Sequence, residues 1–285
     1  MSTLKNQGYA LLKNPKRTLE DFIVETESFG ERFLYHEASN NDPQQIIGAR
    51  LGRQAISERR DVFLSSQKGS TYSLPAHGEL YYQRTKPPEM LAFFCETPFA
   101  GKTPQEGATL VYDGRKLFAH LSAATRQLFL SQEVEYTRYA DRELWQKEYL
   151  TDDPEALVAF LKSQNIRADI NSDGELKTTF TTSALREVEG EQVFINNLIP
   201  FVQREYEEPE ATRSRAKFAN GERISRAVLE ELLEAAEAVE TPIAWDQGDL
   251  LVVDNRRSLH GRKTLKPGPR AIYLRMGYFS LLSAP

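Results

Sequence analysis

"WDQGDLLVVDNRRSLHGR", residues 245–262, joins two opposite kinds of sequence. Gly248 and Asp249 predict a tight turn. Residues 248–255 then read as an apolar strand, and the polar segment after it ends in His260 and Gly261. An apolar strand that ends in a polar cluster is how a barrel presents chemistry at its rim. The run "PRAIYLRMGYF" (269–279) reads as a second strand just downstream.

Working outward, strands are expected at 8–13, 61–66, 90–97 and 107–113, and extended chain at 134–140. Further strands are expected across 174–188 and 191–201. Helical spacing marks 17–33, 115–131 and 224–240, and Asp153 followed by Pro154 predicts a helix start within 152–165. Strands and helices do not alternate as βαβ. The expected fold class is therefore mainly β with helices (α+β), a sandwich or barrel with helical covering. No repeat or low-complexity linker divides the chain, so 1–285 reads as one domain.

With 285 residues, 40% hydrophobic and 27% charged, the chain can bury a sizeable core. A formal charge of −5 argues against nucleic acid as the main partner. No apolar run approaches the ~20 residues of a membrane helix, and the N-terminus lacks a signal-peptide pattern. The expected location is the cytoplasm. The single cysteine, Cys95, lies in the apolar run "MLAFFCETP" and reads as a buried core thiol.

Any transition-metal site must then come from four histidines and the carboxylates. His120 falls in helical spacing and reads as a helix-surface or packing residue. His36 has only Glu37 beside it, on the opposite face of any strand. In "SLPAHGELYYQ" (73–83), His77 and Glu79 share a parity, so on a strand both leave the same face. Together with His260 they would form a 2-His-1-carboxylate set, which suits non-haem iron with open positions. The same donors suit zinc, and on spacing alone an ordinary polar pair is the simpler account of His77 and Glu79. Arg270, ten residues past His260, offers a planar fork for a carboxylate. Three readings stay open on the residues alone: an iron oxygenase, a zinc hydrolase, and a non-catalytic barrel that binds a small acid.

The segments "HGELYY" (77–82), 91–118, "QVFINN" (192–197), 245–262 and 269–275 together resemble the Fe(II)/2-oxoglutarate-dependent dioxygenases of the TauD/TfdA-like (taurine dioxygenase) superfamily. The look is that of the branch with the syringomycin-pathway hydroxylase and clavaminate synthase. The resemblance implies a double-stranded β-helix (jelly-roll) core with helical insertions, its metal ligands coming from facing strands. It implies iron ligands at His77, Glu79 and His260, 2-oxoglutarate contacts at Thr109 and Arg270, and O2 as the oxidant. Glu79 stands where many members carry Asp; an intact carboxylate argues against halogenation. A second family arginine corresponds to Arg275, whose parity is opposite to that of Arg270 unless a bulge intervenes. The expected substrate is a small molecule, an amino acid or a derivative, free or carrier-tethered, and the expected reaction is hydroxylation, with desaturation or ring closure as alternatives. Arg275, Tyr81 and Asn197 are the candidate substrate contacts, and segments 66–76 and 165–190 would close the pocket.

Overall fold

The apolar strand inside the 248–255 segment is buried on both faces, and that fact organises the molecule. The computed structural model describes residues 2–33, 62–65, 73–101, 106–149, 151–210, 212–266 and 268–279. Among them the chain runs α1 (Ser2–Gln7), β1 (Tyr9–Leu12), α2 (Leu19–Glu27), β2 (Gly30–Arg32), β3 (Val62–Leu64), β4 (Leu74–His77), β5 (Met90–Thr97) and β6 (Thr109–Asp113). A middle section follows with α3 (Gly114–His120), α4 (Ala123–Ser131), β7 (Val134–Ala140), α5 (Arg142–Tyr149), α6 (Pro154–Ser163), β8 (Arg167–Ile170) and β9 (Leu176–Thr182). It continues through β10 (Leu185–Val188), β11 (Glu191–Phe194), α7 (Leu198–Glu207) and β12 (Ser214–Phe218). The return consists of α8 (Arg226–Ala238), β13 (Glu240–Ile243), β14 (Leu250–Asp254), β15 (Ser258–Arg262) and β16 (Ala271–Phe279).

Two antiparallel sheets face each other. The larger has the order β1-β14-β5-β16-β2, with β3 also paired to β16; the smaller has the order β13-β6-β15-β4. Alternation along each strand decides what lies between them. Leu91, Phe93 and Cys95 of β5, Leu251 and Val253 of β14, and Ile272 and Leu274 of β16 point inward, against Val111 and Ile243 of the smaller sheet and Trp245 just after it. The alternate residues Ala92, Phe94, Leu250 and Val252 face out and bury the apolar side of α2. Phe94 stacks on Phe22 of α2 with ring centroids 5.4 Å apart. Each such side chain contributes roughly 1.5–3 kcal/mol on full burial, so β5 and β14 are continuous apolar runs because both of their faces are covered. The outer face of the smaller sheet packs Leu110 and Tyr112 against α7, α8 and a third sheet of order β12-β7-β9-β8. The arrangement is the jelly-roll with helical insertions expected from the sequence.

Several local expectations are corrected. The helical spacing of 17–33 yields only α2, which starts on a capping box between Thr18 and Asp21; the chain turns at Ser28 and extends at Gly30. The 115–131 segment splits at Leu121 because Ser122 caps a new helix by accepting from the Thr125 N–H. The strand predicted over 191–201 ends at Phe194, and α7 begins at Leu198. The segment 165–190, expected to help close the pocket, forms the strands β8 to β10. His36 and residues 66–72 lie outside the described residues.

Candidate active site

β4 and β15 are adjacent strands, with His77 directly opposite His260. The two imidazoles thus come from paired neighbours in one sheet, not from facing strands as the resemblance implied. Their ring centroids are 4.2 Å apart at 42°. β4 is an edge strand, so Pro75 is tolerated there without a donor N–H. The register slips between His260 and Arg262, where three steps of β4 (Leu74 to His77) match two of β15. The bulge aims His77, and the Pro75 carbonyl lies 2.8 Å from its Nδ1. Nδ1–H donating there leaves Nε2 as the lone-pair donor toward the cluster. His260 is buried, with its Nε2 3.6 Å from Glu79 Oε2. The Phe93 ring centroid lies 5.7 Å from that of His260.

Glu79 reaches the cluster differently from the expectation. β4 ends at His77, so strand parity does not place the carboxylate; a turn does. Gly78 donates its N–H to Asn196 O at 2.7 Å. A side chain at 78 would meet the Tyr81 ring at 2.7 Å, which explains the glycine. Leu80 sits at φ 68°, a strained conformation for a bulky residue. Asn255, fully buried, holds this turn. Its Oδ1 accepts from Glu79 N–H at 2.9 Å, and its Nδ2 donates to Glu79 O and Pro88 O at 3.2 and 2.7 Å. The sequence reading gave Asn255 no role; its position right after the apolar strand was the available signal.

One ligand atom each of His77, Glu79 and His260 falls within 4.8 Å of the others. Donors bonded to one ion at roughly 2.0–2.2 Å lie about 3–4 Å apart, so the three fit a single metal ion with little adjustment. Among the described residues no other cluster of this kind occurs.

On β6, Thr109 lies opposite Arg262 of β15, and Val111 opposite His260. Thr109 is buried, and its Oγ1 accepts from Trp245 Nε1 at 3.1 Å. Arg270 precedes β16 with the inward parity of Ile272 and Leu274, and its Nη2 donates to Gly107 O at 3.3 Å. Burial, then the charge of Arg262, lowers the Arg270 pKa to about 10, still charged at neutral pH. Cys95 is part of the same inner wall; burial pushes its thiol up to about 12 and keeps it protonated.

Arg275 is not brought to this cluster. From Ile272 to Gly277, β16 runs opposite Cys95 to Met90 without slippage, so the irregularity at Ala271 does not change the parity of Arg275. Its guanidinium is buried on the outer face and donates to Ile23 O at 3.1 Å and Thr26 Oγ1 at 2.9 Å, which fastens α2 to the sheet. Tyr81 is also held structurally: its hydroxyl donates to Asn255 O at 2.9 Å. Asn197, buried at the start of α7, leaves its Oδ1 without a hydrogen-bond partner among the described residues. His120 is exposed at the end of α3, as its spacing suggested. No helix among the described residues is long and apolar enough to cross a membrane.

Residues 1–277 match the family model described as taurine catabolism dioxygenase TauD, TfdA family. A clavaminate synthase-like protein of Arabidopsis thaliana is 22% identical, over 95% of this chain and 82% of its own. The dapdiamide synthesis protein DdaC of Enterobacter agglomerans is 22% identical, over 74% of this chain and 67% of its own. The structure of PvcB from Pseudomonas aeruginosa, described as an Fe, alpha-ketoglutarate dependent oxygenase from an isonitrile synthetic pathway, superposes with a TM-score of 0.57 at 13% identity. The match covers 97% of this chain and 77% of PvcB. The chain belongs to the TauD/TfdA family and is a dioxygenase that uses Fe(II), 2-oxoglutarate and O2.

Proposed function

We propose that this dioxygenase hydroxylates an unactivated C–H bond of an amino acid or an amino-acid-derived natural-product precursor, free or tethered to a carrier protein. We read 1–285 as one domain acting in the cytoplasm. The observation that carries the reading is the convergence of His77, Glu79 and His260 within 4.8 Å. The family match supports the iron chemistry, and the printed descriptions of DdaC and PvcB support a place in small-molecule synthesis.

His77 through Nε2, Glu79 through its carboxylate and His260 through Nε2 would hold Fe(II). When bound, the iron supplies O2 activation coupled to decarboxylation of 2-oxoglutarate to succinate, and with it the oxidising power for C–H cleavage. What the chain itself supplies is positioning and dryness. Arg270 grips the far carboxylate of 2-oxoglutarate as a charged fork. Thr109 receives the indole N–H of Trp245 on its oxygen, which leaves its own O–H to donate to that carboxylate. Phe93, Val111 and Leu251 wall the space and exclude water. Asn197 Oδ1 offers a buried acceptor for a substrate ammonium or amide. Glu79 fills a ligand position that a halide would need, which favours hydroxylation over halogenation.

Incubation of an amino-acid library with the enzyme, Fe(II), 2-oxoglutarate and O2, followed by mass spectrometry, tests this. Gain of one oxygen in a single compound is expected. Loss of two hydrogens instead would replace hydroxylation with desaturation or ring closure. Turnover that survives His77→Ala would remove the ligand assignment.

A further inference from the structure

The middle section of the chain carries a groove that the iron chemistry does not use. The sheet β12-β7-β9-β8 buries Tyr136, Phe180 and Ala216 on one face, against the core. Its other face floors a groove of about 630 Å³. That volume is ordinary for a small-molecule site, which spans roughly 300–1,000 Å³. Register decides what stands in it. Arg215 pairs with Thr137, Thr137 with Thr179, and Thr179 with Arg167, so one row runs guanidinium, hydroxyl, hydroxyl, guanidinium across all four strands. Every side chain in this row can donate a hydrogen bond. Directly opposed residues hold their Cβ atoms about 4.5–5.5 Å apart, so one tetrahedral anion can touch both threonines.

The neighbouring rows add charge. Lys217 of β12 and Arg167 of β8 converge from opposite edges of the sheet on Glu135 of β7, at 3.3 and 2.6 Å and through different carboxylate oxygens. Arg215 and Arg223 share Glu205 of α7, at 3.7 and 3.3 Å. At both places one carboxylate serves two cations, so each trio keeps a net positive charge. Lys177 stands opposite Asp169 in the next row and cancels it. The groove thus holds five cations against three carboxylates, on a chain whose formal charge is −5. A dianion matches that excess. A phosphate monoester carries about −1.5 to −2 at neutral pH with three acceptor oxygens, and the arginine fork fits it.

We propose that this groove binds the phosphate monoester of a nucleotide-sized small molecule, with the phosphate over Thr137 and Thr179 and between Arg167 and Arg215. The groove lies on the face of its sheet turned away from the core, so binding there requires neither metal nor 2-oxoglutarate. The proposal therefore stands apart from the iron-site reading.

Calorimetry on the metal-free full chain at low salt tests it, with adenosine 5′-monophosphate as the probe and adenosine and succinate as controls. The monophosphate is expected to bind at least tenfold more tightly than either control and to weaken as salt is added. Arg167→Gln and Arg215→Gln should each weaken it at least fivefold, and Thr179→Val about threefold. The two arginine side chains are 74% and 47% exposed, so their loss should leave the melting temperature unchanged. Added Mn(II) should not alter the affinity. No binding of the monophosphate, succinate binding as tightly, an affinity unchanged in both arginine variants, or binding that needs Mn(II) would each overturn the proposal.

Discussion

Asn255 holds the carboxylate turn through three hydrogen bonds from one amide, and it contributes nothing to the cluster directly. Asn255→Ala would leave the Glu79 N–H and two carbonyls unsatisfied in the interior. The expected cost is about 3 kcal/mol of stability, read by urea unfolding. Metal affinity should also fall about 10- to 100-fold, as for residues that orient a ligand from behind. Arg270 and Arg275 separate in the opposite sense. Arg275→Met removes two buried hydrogen bonds to α2 and should cost about 2 kcal/mol while leaving the KM for 2-oxoglutarate unchanged. Arg270→Gln should raise that KM at least tenfold with little change in melting temperature. A raised 2-oxoglutarate KM in the Arg275 variant would mean that its guanidinium reaches the pocket after all.

Whole elements read unevenly from the sequence. β14 and β16 were legible because their apolar runs are long and bounded by Gly248 and Pro269. α8 was legible because Val228, Leu229 and Leu232 repeat at helical spacing. α5 was not: only Trp145 and Tyr149 of its eight residues are buried, too few for a periodic signal. α7 was hidden because it follows β11 after three residues and both are apolar, so strand and helix merged into one run. Of the candidate site, the sequence named the three donors that converge but not the backbone that brings them together; parity assigned Glu79 to a strand that stops at His77, and it put Arg275, which fastens α2 instead, among the substrate contacts. Gly261 ties two elements together. A Cβ there would lie 2.5 Å from Leu74 O of β4, so Gly261→Ala must push the edge strand away from β15. Because those strands carry His77 and His260, the variant should lose most of its metal affinity, measured by titration with Co(II) or Mn(II). A variant that binds metal as the wild type does would show that β4 can shift without moving His77.

At the scale of the molecule, the cluster joins β4 and the turn that follows it to β15, two segments distant in sequence. A ligand that binds only the folded state stabilises it by mass action. Mn(II) at about 100 times its dissociation constant should add about 2.7 kcal/mol and raise the melting temperature by several degrees. The His77→Ala and Glu79→Ala variants should show no such rise. The same measurement made with 2-oxoglutarate added should show a further rise only when metal is present, since chelation requires the ion.

Arg270, just ahead of β16, and Arg275, within it, present one guanidinium to each side of the strand, five positions apart, so that this stretch works as a two-way selector. Inserting or deleting one residue between Ile272 and Leu274 would exchange the surroundings of everything beyond it, turning Arg275 toward the chemistry and stripping α2 of its anchor. Drift in the length of this segment is thereby coupled to the docking of α2. An enzyme built this way can alter its anion preference by point substitution far more readily than by a change of frame.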